Sequence, residues 1–354
     1  MPALGTGTGP AAAAGFRRLV NITIFATFAL IVIGGIVRVS DSGLGCGPAG
    51  SGTQGWPLCN GEILPFVSGI SGETVIEFTH RIAAAIVGLL VLAVLWKAWT
   101  TLREQKAIVR TSAFALFLVL AQAVLGGITV EENLSAELVA AHLGLAMIFL
   151  ATLLSLSHAT APGRVAERSL AADSLSDRSA NRSEQPSTPA LRGVAALASL
   201  LVLATIVVGG YVAGTEGHGT LDQPVAGAHT ACGQEFPLCG SGALFPFGRD
   251  PLVDAQLTHR ALMYLAAIAV IALVAMALRR GIRHRVFPAA LAILFAQILL
   301  GALNVWLGKH AGLIVAHLTL GSILWATVAY ASISLVPSRQ TVNARRRQGE
   351  ALPA

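Results

Sequence analysis

Apolar residues gather in eight long blocks, 19–37, 74–96, 111–130, 138–156, 194–213, 257–278, 286–307 and 313–336, with polar segments between them. Each block is close to the roughly 20 residues that an α-helix needs to cross the hydrocarbon of a bilayer. Strands of a membrane barrel read as about ten alternating residues, and these blocks neither alternate nor stop so early. Lipid offers backbone N–H and C=O groups no partner, so apolar blocks of this length are helices. The pattern predicts an all-α polytopic membrane protein with eight transmembrane helices. Arg17-Arg18 precedes the first block as it would a signal peptide, but the block is too long for a signal core and no A-x-A-like site follows it.

The two halves of the chain share words at an offset of 175 to 180 residues. Gly34-Gly35 answers Gly209-Gly210, and Trp56-Pro57-Leu58-Cys59 answers Phe236-Pro237-Leu238-Cys239. Further on, Thr79-His80-Arg81 answers Thr258-His259-Arg260, Ala121-Gln122 answers Ala296-Gln297, and Ala141-His142-Leu143 answers Ala316-His317-Leu318. The blocks therefore form two tandem four-helix bundles, at 17–158 and 191–336. An even number of spans in each gives both the same orientation. Residues 1–16 and 337–354 are tails. The segment 159–190, rich in Ser, Ala and Arg, is a solvated linker in which no chemistry is expected.

Composition agrees with a membrane protein: 54% of the residues are hydrophobic and 12% charged, which excludes an ordinary soluble domain. Of the 24 Lys and Arg, 19 fall in the segments on the side of the two termini; Arg38, Arg81, Arg249, Arg260 and Lys309 fall on the other side. By the positive-inside rule both termini are cytoplasmic and the cysteine-bearing loops lie outside, as in a multi-pass bacterial inner-membrane protein. Insertion explains the net charge of +6, and no nucleic-acid partner is implied.

Four of the nine histidines pair across the repeat, His80 with His259 and His142 with His317. All four fall on the second or fourth helix of a unit, roughly 8 Å inside its outer end at 1.5 Å rise per residue. Two imidazoles at one depth on neighbouring helices can face each other across a haem and take its axial positions. A lone membrane histidine serves as readily as interhelical hydrogen-bonding glue, but that use does not predict four at one depth, two per repeat. His158, His284, His218, His229 and His310 are read as solvated bystanders. Arg81 and Arg260, each next to a ligand candidate, either contact haem propionates or snorkel to the headgroups.

The cysteines also come two per repeat. Pairing Cys46 with Cys59 and Cys232 with Cys239 closes each outer loop on itself in an oxidising compartment, and neither spacing suits a zinc site. The staples shape a cap over the haem; a redox-active role for the first pair stays open. Glu77, three residues before His80 and on the same helix face, has Gln256 as its counterpart. It either handles protons or positive charge at a reacting site, or serves the helix start as the last residue of a Thr74-x-x-Glu77 capping box. Having a carboxylate in one unit only suggests one reacting and one electron-carrying site.

Taken together, Glu77-Phe78-Thr79-His80-Arg81, Leu257-Thr258-His259-Arg260, Ala141-His142, Ala316-His317, the Gly-Gly helix ends and the looped cysteine pairs resemble the haem A synthase family over residues 17–334. The resemblance implies an oxidoreductase that converts the C8 methyl of haem O to a formyl group by successive hydroxylations, giving haem A for terminal oxidases. It further implies that His80, His142 and the catalytic Glu77 receive the haem O substrate, that His259 and His317 hold a permanent haem b, and that Cys46 and Cys59 are linked to activity. Haem O synthase as the source of substrate, an electron acceptor without a name, the lipid bilayer and a homo-oligomer complete the partners it suggests. This chain departs from the pattern in a first cysteine loop six residues longer than the second and in its long linker. Two other readings use the same histidines: a dihaem b-type electron carrier or quinol oxidoreductase, and a non-catalytic haem-handling protein.

Overall fold

The computed structural model describes residues 10–65, 70–162, 188–216, 227–240, 242–308 and 310–336. Among them are eight helices long and apolar enough to cross a membrane. These are α1 (Pro10–Val39), α2 (Gly72–Thr101), α3 (Lys106–Glu131), α4 (Ala136–Ala159), α5 (Pro189–Gly214), α6 (Pro251–Arg279), α7 (Val286–Trp306) and α8 (Ala311–Ser334). Most of the linker, residues 1–9 and 337–354, His218 and Lys309 lie outside the described residues.

Several helices outrun their apolar blocks because polar residues start them. Ser71 caps α2 by accepting the Thr74 N–H at 3.1 Å. Thr188 and Asp250 cap α5 and α6, each followed by a proline at the first helical position, where a missing N–H costs nothing. The start of α2 at Gly72 puts Glu77 beyond the first turn, so the capping box expected at Thr74 to Glu77 is not what begins this helix. Helix α1 starts at Pro10, ahead of its apolar block, and buries Phe16 completely.

In each unit the four helices close a ring: α1 packs on α2 and α4, α2 on α3 and α3 on α4, and α5 to α8 repeat the arrangement. The units meet along α4 against α5, α1 against α8, and α4 against α8. One core joins the units: Met147 and Leu150 of α4 pack with Val202 of α5 and with Leu324, Trp325 and Val328 of α8. Within it the Trp325 indole N–H donates to the Met147 carbonyl at 2.9 Å. A second core, with Phe16, Val91, Leu102, Leu118 and Leu153, fills the first unit toward the end remote from the cysteine loops. Large apolar residues such as Phe25, Leu89, Trp96, Phe117 and Ile268 face outward, as lipid allows.

The Arg38 guanidinium, at the end of α1, donates to the carbonyls of Ala213 and Glu216 at 2.8 and 2.6 Å. It thereby takes up acceptors left over where α5 ends, and ties the units together at the loop end.

Candidate haem sites

The histidine turns occupy equivalent places in the two units. His80 and His259 lie eight residues into α2 and α6, and His142 and His317 six residues into α4 and α8. Those spacings put them about 12 and 9 Å from the helix starts, deeper than expected because the helices begin earlier. Within each unit the two rings are close enough to interact electrostatically, His80 with His142 and His317 with His259.

Each ring rests in a notch left by a glycine on the neighbouring helix. A methyl group placed on Gly34 of α1 would lie 3.1 Å from His80 Cε1, and one on Gly126 of α3 would lie 3.3 Å from His142 Cε1. The second unit repeats the arrangement more tightly, with 2.8 Å between such a methyl on Gly209 and His259 Cε1 and 2.9 Å between one on Gly301 and His317 Cε1. An added side chain would push each ring away, so the glycines fix where the imidazoles stand.

The ring nitrogens are held asymmetrically. His259 Nδ1 is 3.0 Å from the Thr205 carbonyl, a contact that makes Nδ1 the protonated nitrogen and leaves the Nε2 lone pair for a ligand. Nδ1 of His80, His142 and His317 is enclosed by protein without a hydrogen-bond partner, which leaves Nε2 as the nitrogen these rings can offer; in His317 it meets the Gln297 Nε2 at 3.3 Å, so that amide must turn aside for a ligand. Among the described residues no group of three or more His, Cys, Asp or Glu converges. Two imidazoles per unit are the donor set that a porphyrin iron, already bound by four ring nitrogens, still requires. The residues therefore fit a haem between α2 and α4 and another between α6 and α8.

Two glutamines that the sequence marked only as repeated words have a place here. Gln122 Nε2 donates to the His142 carbonyl at 2.9 Å, and Gln297 Nε2 to the His317 carbonyl at 3.1 Å. Each steadies the turn that carries a histidine from the helix beside it. Their repetition at Ala121-Gln122 and Ala296-Gln297 was the available signal.

Both expected disulfides are formed, Cys46–Cys59 and Cys232–Cys239, and all four cysteines are buried. The arginines next to His80 and His259 grip these loops. Arg81 Nη1 donates to the Gly55 and Leu58 carbonyls at 2.6 and 2.7 Å, while Arg260 donates to Leu238 and Glu235 at 2.8 and 3.0 Å and lies over the Phe236 ring. Glu77, 3% exposed, accepts the Cys46 N–H at 2.8 Å and forms an ion pair with Arg81. Disulfide, carboxylate and the helix that carries His80 thus form one connected block in the first unit. Gln256 is buried at the matching place, so the second unit has no carboxylate there.

Of the histidines read as bystanders, His284 and His310 are exposed. His158 is not solvated: its ring nitrogens are buried and its ring meets Tyr330 edge-on at 5.5 Å. His229, half-buried, lies 3.8 Å from the Glu216 carboxylate and is near enough to interact electrostatically with both His259 and His317. A histidine without a counterpart in the first unit gave the repeat comparison nothing to flag.

Residues 17–329 match the COX15-CtaA family, described as cytochrome oxidase assembly protein. The chain belongs to this family. It is 27% identical over 320 residues to the haem A synthase of Halalkalibacterium halodurans, covering 88% of this chain and 93% of that protein. It is 28% identical over 260 residues to the haem A synthase of Shouchella clausii, 73% of this chain and 75% of that protein. A shorter match, 35% over 146 residues, joins it to the haem A synthase of Exiguobacterium sibiricum, 40% of this chain and 46% of that protein. These matches support a place in haem A biosynthesis, and give the carrier and haem-handling readings no support.

Proposed function

We propose that this protein is a haem A synthase, an enzyme that takes haem O and oxidises its C8 methyl to the formyl group of haem A by successive hydroxylations. Support comes above all from the two imidazole pairs seated in glycine notches, found in a chain whose relatives carry that name. In this reading His80 and His142 hold the substrate's iron and set the porphyrin between α2 and α4. His259 and His317 hold a resident haem b, which supplies one-electron redox chemistry when bound. His259 is further held by the Thr205 carbonyl, an anchor that the His80, His142 and His317 rings lack.

Glu77 stands one helical turn from His80 on the side of the cysteine loop. The loop amide of Cys46 and the Arg81 guanidinium hold the carboxylate in place, where it can hold a proton or oppose positive charge developing at the methyl. Arg81 and Arg260 hold the loops closed over the sites, and propionate contacts would fall to the N–H groups these carbonyls leave over. The Cys46–Cys59 bridge acts on the reaction through the same block, by fixing the amide that Glu77 accepts from. A bacterial inner-membrane location with cytoplasmic termini, and haem O synthase as the source of substrate, complete the reading.

The test is extraction and mass analysis of the haems from purified protein produced together with a haem O source. Formyl haem that vanishes in His80→Ala while haem b remains is the expected result. Haem b alone, in both proteins, would replace the synthase by the carrier. Glu77→Gln should keep both haems and stop aldehyde formation, and unchanged turnover would remove Glu77 from the mechanism.

A further inference from the structure

The paired glycines face two ways. Gly34 accepts His80 of its own unit, whereas a methyl on its neighbour Gly35 would lie 2.5 Å from Leu318 Cδ2, on α8 of the other unit. Leu318 directly follows His317. The mirror arrangement holds on α5: Gly209 accepts His259 of its own unit, and a methyl on Gly210 would lie 3.1 Å from Leu143 Cδ2 and 3.3 Å from Ala140 Cα on α4. Leu143 directly follows His142. Each Gly-Gly pair thus touches the two ligand turns of different units with successive residues.

We infer that Gly35 and Gly210 are positioning residues for the haem of the opposite unit, so that each ligand pair is set partly by a helix that does not belong to it. The inference rests on the haem reading of the four histidines. Its physical ground is close packing: a larger residue must displace what it meets, at Gly35 the Leu318 side chain that springs from the His317 turn, and at Gly210 the Leu143 side chain and the Ala140 backbone beside His142. The turn facing Gly35 carries His317, and the turn facing Gly210 carries His142.

The two seams are not equally tight. Along α4 against α5, backbone approaches backbone, since a methyl on Gly214 would lie 2.6 Å from Ala136 Cα and the Gly210 contact includes Ala140 Cα. Small residues at Gly210, Gly214, Ala136 and Ala140 permit this, as in close membrane helix pairs. At the seam of α1 against α8, the atoms that would meet the Gly35 methyl belong to the leucine side chain. Trimming Leu318 therefore makes room for a larger residue at Gly35, whereas trimming Leu143 leaves the Ala140 backbone in the way of one at Gly210.

The experiment compares neighbouring glycines in the full-length protein produced with a haem O source. Haem type and content are read by mass analysis, and the ligand geometry of each haem by its low-spin electron paramagnetic resonance signal. Gly34→Ala should disturb the substrate-type haem and Gly35→Val haem b. On α5 the order reverses, with Gly209→Ala disturbing haem b and Gly210→Val the substrate-type haem. Leu318→Ala should restore the haem b signal to Gly35→Val, and Leu143→Ala should restore Gly210→Val only in part. Neighbouring variants that disturb the same haem, or both haems alike, overturn the inference, as does failure of Leu318→Ala to rescue a Gly35→Val protein that loses haem. A wild-type protein without haem at the histidine pairs overturns the functional reading itself, and this inference with it.

Discussion

Replacing Arg81 by alanine would leave the Glu77 carboxylate, 5% exposed at its side chain, without its counter-charge, and would strip the Gly55 and Leu58 carbonyls of their donor. Removing one partner of a fully buried ion pair costs about 3–5 kcal/mol. The Arg81 side chain is 16% exposed, which places the pair near the lower end, about 3 kcal/mol, with about 1 kcal/mol more for each carbonyl. Arg260→Ala is the internal control. It removes two carbonyl bonds and a cation–π contact but strands no carboxylate, because Gln256 stands where Glu77 would be, for a loss of about 2–3 kcal/mol. Thermal unfolding in detergent should therefore rank Arg81→Ala clearly below Arg260→Ala. Adding Glu77→Gln to Arg81→Ala should recover part of the difference, since it removes the stranded charge. Equal losses from the two arginine variants, or no recovery in the double variant, would refute the argument that charge burial under the first loop is what separates the units.

Two further outcomes follow from the packing. Gly214→Val should destabilise the protein by about 3 kcal/mol by driving α5 off the Ala136 backbone, while Gly193→Val on the same helix, with nothing within 4 Å of its site, should change the unfolding temperature little; equal effects would dismiss the close seam. Gln122→Ala removes the donor to the His142 carbonyl, worth about 1 kcal/mol, and should speed transfer of the haem held at that pair to a soluble haem scavenger by about fivefold, which time-resolved absorbance measures.

What the sequence made legible was whatever repeats or is long. Eight apolar blocks could only be membrane helices, and four histidines at matched positions declared themselves because chance does not place them so. The cysteine partners followed from loop closure alone. What stayed hidden depends on contacts between helices. Nothing in Gly34 or Gly301 says that an imidazole will fill the space it leaves, and Arg81 does not reveal whether it will reach a propionate, a headgroup or the Gly55 carbonyl. Helix starts were misplaced for a local reason: Ser71 and Asp250 are polar, so a hydropathy pattern stops short of them although the backbone does not. Nothing beside His158 in the sequence says that the tertiary fold turns it onto Tyr330.

The first bundle is sealed at the end away from the cysteine loops, where Phe16, Val94, Ala98, Leu102, Leu153 and Leu156 are all buried. A rigid disc the width of a porphyrin has no passage through such packing. If the first bundle takes a haem as proposed, the cargo would arrive and depart sideways, between helices and out of the lipid itself, or over the rim beside the loops. In the proposed reading, a hydrophobic pigment that takes the route between helices would stay in the plane of the membrane and need never cross water.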